Sequence, residues 1–304
     1  EATGLGNVLL EGVGGSGAGN SNLGVHVLGG GSITSSGSGT VTVDGTGGTG
    51  SGSSNDGVRV DGTGSLISSG TGAVLVTGQG GGDTGSGGSS HGVHVLSGGS
   101  ISSGAPGSVT VNGTGGAGTG DQNNGVFVSG ANSEITSGGA GTVLVTGTGG
   151  GTGISELNRG VVVSGGIITS GGSGTVTVVG TGGSVSGNNN HGVTLSGSGG
   201  VQSGATGSID ITGTAGAGVD SSGIQALSGT FGASNSTNVT LTTDRVGLAG
   251  TTVIQGTNTL VIDPKTASTD IGIGSGSGDL QITAIGLGFI QDGFNGGITI
   301  GATN

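Results

Sequence analysis

Cysteine, methionine, tryptophan and tyrosine are absent from all 304 residues, and only four phenylalanines and two prolines occur. Without cysteine there are no disulfides and no thiolate metal sites. The scarcity of aromatics removes the side chains that fill a wide globular interior. With valine, isoleucine and leucine in their place, the core is expected to be one side chain deep. Basic residues are equally scarce: four against sixteen acidic ones, for a formal net charge of −12. That leaves almost nothing to neutralise phosphates, which excludes a nucleic-acid or anionic-membrane surface. The acidic excess reads as solubility by mutual repulsion. There is no run of about 18 apolar residues and no charged-then-apolar leader, so neither membrane insertion nor a signal peptide is expected. The opening residues, EATGLGNVLLEG, already belong to a repeat, so the chain reads as mature, trimmed or excerpted.

Glycine is abundant, 85 residues in all. Without a period, that content would indicate a disordered low-complexity chain. Here a short valine strand runs into a glycine loop, GTVTVDGTGG at Gly39, and returns as GAVLVTGQGG at Gly72, GSVTVNGTGG at Gly107, GTVLVTGTGG at Gly141, GTVTVVGTGG at Gly174 and GSIDITGTAG at Gly207. The last apolar residue of each copy is Leu10, Val43, Val76, Val111, Val145, Val178, Ile211 and Leu241, at intervals of 33, 33, 35, 34, 33, 33 and 30. Such a period marks a stacked repeat architecture.

Each repeat resolves into three strands. Period-two alternation picks out a first strand, GVHV at Gly24, returning as GVRV, GVHV, GVFV, GVVV, GVTL and GIQAL at Gly57, Gly92, Gly125, Gly160, Gly192 and Gly223. A minimal second strand falls at Ser32–Thr34 and around Leu66, Ile101, Ile135, Ile168 and Val201, and the third is the valine strand before the loop. The expected fold is all-β: a right-handed parallel β-helix (β-solenoid) with three short strands per coil and a long Gly-rich loop per coil in residues 1–241. Its core ladder takes two residues from the first strand and two from the third. These are Val25, Val27, Val41 and Val43; Val58, Val60, Val74 and Val76; Val93, Val95, Val109 and Val111; Val126, Val128, Val143 and Val145; Val161, Val163, Val176 and Val178; and Val193, Leu195, Ile209 and Ile211. The loop Asp44–Asp56 carries no apolar residue, and it and its equivalents are expected to stack as a lateral fin. From residue 242 to 304 the long loop disappears, and closer apolar pairs such as Ile271/Ile273 and Leu280/Ile282 read as the same solenoid in shorter coils, with Pro264 at a corner.

The segment Thr259–Gly301 carries an LVIDP turn, DIGIG, a DLQIT strand and IQDGFNGGITIG. It resembles the large β-strand-repeat surface exoproteins of cyanobacteria and other bacteria, relatives of filamentous haemagglutinin. The likeness covers about the last fifth of the chain. It implies a secreted surface protein, often adhesive and often exported through a partner pore; the N-terminal export domain of such proteins is not seen here.

Candidate chemistry is sparse. A polysaccharide lyase needs a base, commonly Arg or Lys, beside carboxylates, and a hydrolase needs paired carboxylates. The bases Arg59, Arg159, Arg245 and Lys265 are widely spaced along the chain. The outward column of the first strand, His26, Arg59, His94, Phe127, Val162, Thr194 and Gln225, reads as a solvated face. Calcium has one reading, as a bridge between Glu11 and Asp44, which would lie one rung apart. Gly-Asp loops at Asp83, Asp121 and Asp220 lack the nine-residue repetition of calcium-binding arrays. His26 with His94, and His91 with His191, occupy equivalent positions two and three coils apart, too far to share an ion, and read as exposed histidines. Asn55, Asn123, Asn124, Asn158 and Asn190, just before the first strand, read as turn residues or a stacked ladder. Leucine interrupts the threonine column Thr42, Leu75, Thr110, Leu144, Thr177, so a regular ice-binding array is absent. The expectation is an extracellular, cell-surface structural or adhesive solenoid, not an enzyme and without a cofactor. It would stack end to end with copies of itself or with neighbouring coils of a longer chain, and contact surface polysaccharide. A carbohydrate-binding or carbohydrate-active β-helix (polysaccharide lyase or hydrolase type) is the alternative, and an ice-binding protein is a minor one.

Overall fold

A computed structural model describes residues 1–82, 87–204 and 206–301 of the chain. Strands pair only in parallel within the ladders, coil upon coil, in about seven turns of a β-solenoid. The third-strand stack is ten strands deep, from Val8–Val13 to Gly297–Ile300. Its register follows the sequence period: Leu10 faces Val43, Val43 faces Val76, and so on to Ile211 and Leu241. The first strands (Val25–Leu28 onward) and second strands (Ser32–Ser35 onward) form two further stacks. They merge through the eight-residue strand Ile224–Phe231, which pairs with members of both.

The interior is a column of aliphatic rungs. Val25 and Val27, in the first coil, are 6% and 5% exposed; every other ladder valine, leucine and isoleucine from Val41 to Ile211 is at 0–1%. The second strand adds one residue per coil, and here the expected position slips by one in the second coil. Ile67, not Leu66, points inward, in line with Ile101, Ile135, Ile168 and Val201. Two residues on, a buried serine closes each corner. Ser69 Oγ donates to the Gly39 carbonyl at 2.8 Å and Ser103 Oγ to that of Gly72 at 2.7 Å, while Ser170 and Ser203 bond Gly174 and Gly207 of their own coil at 2.6 Å.

The third strand runs three residues past its last inward valine. In Val41–Thr46 the residues Asp44, Gly45 and Thr46 are still in the ladder, so the loop begins later than Asp44. The glycine in this extension lies against the backbone that enters the next first strand. A β-carbon on Gly113 would sit 2.2 Å from the Gly125 carbonyl oxygen, and one on Gly125 would sit 2.3 Å from the Thr148 nitrogen. Close approach, rather than an unusual dihedral, requires glycine at this neck.

Beyond the neck the loops stack into a fin. The amides of Gly81, Gly116, Gly150 and Gly183 donate to the carbonyls of Asn55, Ser90, Asn123 and Asn158 in the preceding coil, at 2.7–2.8 Å. A side-chain ladder runs beside them: the backbone N–H groups of Asn22, Asn55, Ser90, Asn123, Asn158 and Asn190 each donate to the side-chain oxygen of the equivalent residue in the next coil, at 2.8–3.1 Å. The asparagine Nδ2 groups then hold their own loops, as in Asn55 to Gly52 O at 2.8 Å and Asn190 to Gly187 O at 2.6 Å. These asparagines are therefore ladder residues. The left-handed turn falls one position earlier, at Ser54, Ser89, Gln122, Leu157, Asn189 and Asp220, with φ of 55–66°.

After Leu241 the fin is gone, and Leu241 faces Ile262 across a 21-residue coil. The next return, Ile262 to Ile300, is longer, not shorter. Within it Ile271–Gly274 and Leu280–Thr283 pair only with each other, and a four-residue helix, Ala284–Leu287, follows, capped by Thr283 Oγ1 accepting from the Gly286 amide at 3.0 Å. Ile271/Ile273 and Leu280/Ile282 thus form a small side sheet rather than further rungs of the stack. Among the described residues no helix is long and apolar enough to cross a membrane.

Candidate functional site

The first strand's outward face, which the pattern alone presents as solvated, is covered along its middle. His94, Val162 and Thr194 are 8%, 3% and 1% exposed, while His26 at the near end is open. The cover comes from the residue just before each strand-one glycine from Gly57 on, the column Asp56, His91, Asn124, Arg159, His191, Ser222. Its members also form a ladder: the backbone N–H of His91 donates to Asp56 Oδ1 at 2.8 Å, that of Arg159 to Asn124 Oδ1 at 3.0 Å, and that of Ser222 to His191 Nδ1 at 3.0 Å. A polar seam between fin and body results, with two distinct regions.

The first region gathers Asp56, Arg59, His91, His94 and Phe127. Ligand atoms of Asp56, His91 and His94 all lie within 4.8 Å of one another, and all three side chains are buried. The His94 ring stacks on Phe127 (4.8 Å between centroids, 9° between planes), and His91 meets both edge-on at 4.7 and 5.1 Å. His94 Nδ1 is 3.4 Å from Asp56 Oδ2, and its Nε2 is 3.2 Å from Ser129 Oγ. Arg59 reaches Asp56 at 3.5 Å and Asp61 at 3.2 Å. Burial drives the His91 ring down to about 3, assisted by the charges of His94 and Arg59 against the pull of Asp56, so the ring is neutral at physiological pH. Burial alone would raise the Asp56 carboxyl; the bond from His94 and the neighbouring histidines outweigh it and hold the carboxyl below its ordinary range.

Sequence spacing paired His91 with His191 and His94 with His26, by equivalent positions. The structure instead brings His91 and His94 together across Gly92 and Val93, onto the Asp56 of the coil before, and buries His91, His94 and His191. The available signal was the run of polar residues before the strand-one glycines from Gly57 to Gly223, which a lone turn would not need.

The second region is a cavity of about 970 Å³ near the finless coils. Arg159 and Arg245, widely spaced in sequence, both line it, together with His191, Thr194, Asp220 and Asp279. Thr194 Oγ1 and Arg159 Nε are buried there without a hydrogen-bond partner. Ser222's amide occupies His191 Nδ1, which leaves the ring proton on Nε2. Burial, with the charges of Arg159 and Arg245, pulls His191 down to about 4. The rim is fastened by Asp244, which accepts from the Thr266 amide and hydroxyl, both at 2.7 Å, and from Thr269 Oγ1 at 2.9 Å.

No family model, curated protein or solved structure matches the chain. The resemblance of Thr259–Gly301 to surface exoproteins therefore rests on those residues alone. Of the other sequence candidates, Glu11 and Asp44 are register neighbours and both exposed. Asp121 Oδ1 accepts the Glu156 amide at 2.7 Å within the fin, Asp220 lines the cavity, and Asp83 lies outside the described residues. Thr42, Leu75, Thr110 and Leu144 alternate rung by rung, as the interrupted column requires.

Proposed function

We propose that the chain is the rod of a structural or adhesive β-solenoid at the cell surface or in an extracellular matrix, and not an enzyme. The observation that supports this reading is the unbroken ladder: ten parallel third strands, with backbone and side-chain ladders repeated in the fin. Such a stack resists extension along its axis through many bonds at once, the property a fibre needs. The strand Val8–Val13 is paired on one side only and exposes Leu9, Leu10 and Val13. An open edge of this kind takes another coil, from the same chain or from a second copy. Electron microscopy of the purified chain tests this reading: rods that lengthen by end-to-end contact support it, and compact particles that never associate at high concentration count against self-stacking.

A second reading is favoured by the cavity. Two guanidinium groups, the His191 Nε2–H and an unpartnered threonine hydroxyl, set among carboxylates, match the alternating acceptors and donors of a sugar that carries both an acid group and hydroxyls. The adhesive contact would then be a surface polysaccharide held in the lateral groove. A glycan array with the intact chain, followed by a turnover assay on each hit, distinguishes the outcomes. Binding without cleavage supports an adhesive groove, cleavage replaces it with an enzyme, and an empty array removes the groove reading.

A further inference from the structure

We infer that Asp56, His91 and His94 form a binding site for a zinc-class divalent transition metal ion. Two imidazoles and one carboxylate are a donor set that favours zinc, nickel or copper over calcium or magnesium, which require oxygen ligands. All three side chains are buried, and their ligand atoms already fall within 4.8 Å of one another. Small side-chain rotations bring three such atoms to the roughly 2.0–2.2 Å radius of a zinc shell.

The local bonding points the same way. Asp56 Oδ2 is 0% exposed at its side chain, yet its partners His94 and Arg59 stand at 3.4 and 3.5 Å. Charge-assisted bonds of this type are ordinarily about 2.7–2.9 Å, so neither partner holds the carboxylate closely. His91 Nδ1 is likewise 3.4 Å from both the backbone nitrogen and Nδ2 of Asn124, so neither contact holds its lone pair tightly. His94 has the second contact expected of a ligating imidazole: once Nδ1 gives its lone pair to an ion, the proton sits on Nε2, which is 3.2 Å from Ser129 Oγ and donates to it. Phe127 fixes the planes of both rings.

The opposing group is Arg59, whose charge repels a cation. Arg59 is 22% exposed at its side chain and is also paired with Asp61 on the solvent side, so it can keep that partner while an ion takes its place at Asp56. His26, one rung before Arg59 and exposed, lies outside the donor set. Because Asp56 belongs to one coil and both histidines to the next, a bound ion fastens two coils together.

The test is calorimetric titration of the tag-free full chain with zinc chloride at pH 7.5, repeated with cobalt(II) to read its absorption spectrum. The expected result is one ion per chain, a raised melting temperature, and affinity at least tenfold weaker in His94→Gln and in Asp56→Asn, with His26→Gln unchanged. No saturable binding up to millimolar zinc, equal affinity in His94→Gln, or a loss in His26→Gln as large as in His94→Gln would overturn the site. If the buried variants fail to fold, cobalt-induced broadening in the wild-type spectrum decides. Broadening centred on the amides of His91, His94 and Phe127 supports the site, and broadening centred elsewhere overturns it.

Discussion

A β-carbon is the smallest change that distinguishes the glycines of this chain from one another. At Gly113 it would collide with the Gly125 carbonyl at 2.2 Å, whereas at Gly19 it would meet nothing within 4 Å. Gly113→Ala is therefore expected to destabilise the fold by about 1–3 kcal/mol or more, since backbone must move, and Gly19→Ala to be near neutral, both by denaturant unfolding. Asn123 carries a different load: its Oδ1 accepts the buried Ser90 amide and its Nδ2 donates to the Gly120 carbonyl. Replacement by alanine strands a buried donor and is expected to cost about 1–3 kcal/mol. Asn123→Ser should cost less, because Ser90 and Ser221 make the same acceptor bond at their own rungs. The inward valines were legible, because alternation in a β-strand assigns each residue a face. The asparagines were legible as a column but not in their bonding. The Asp56–His91–His94 cluster was not legible: alternation says that His94 points outward, and is silent on what a loop folds over that face.

At the scale of elements, the fin turns an outer strand face into a seam, and the seam creates titration behaviour that exposed histidines would not have. His191 is held at about 4, first by burial and then by Arg159 and Arg245, with Asp220 opposing. Its ordinary value is near 6.5, so between about 4 and 6.5 the unfolded chain binds the extra proton and stability rises with pH. The contribution is complete above pH 6.5 and falls away on acidification toward 4. The melting temperature of the wild type is expected to drop more steeply than that of His191→Gln between pH 6.5 and 4.5; parallel curves would show the ring to be solvated. The C-terminal elements show where strand reading stops. Alternation correctly marks Ile271/Ile273 and Leu280/Ile282 as strands, but it does not choose partners, and these two strands pair only with each other.

For the molecule as a whole, each coil buries about five aliphatic side chains and cannot hold itself folded, because ordering a residue costs about 1–2 kcal/mol and burial recovers only part of that. Stability is shared with the neighbouring coils. A charge in a central rung should therefore cost more than its own contacts: Val111→Asp, at 0% exposure between Val76 and Val145, is expected to abolish cooperative unfolding or the soluble fold altogether, read by circular dichroism.

The central claim is that body and fin form one continuous inter-coil ladder, which makes the glycine loops part of the scaffold. Residue-resolved amide hydrogen exchange on the intact chain tests it most directly. The account predicts slow exchange recurring once per coil in the fin, at Gly81, Gly116, Gly150 and Gly183, alongside the slow valine rungs. Uniformly fast exchange across the glycine loops, with protection confined to the three strands of each coil, would contradict it.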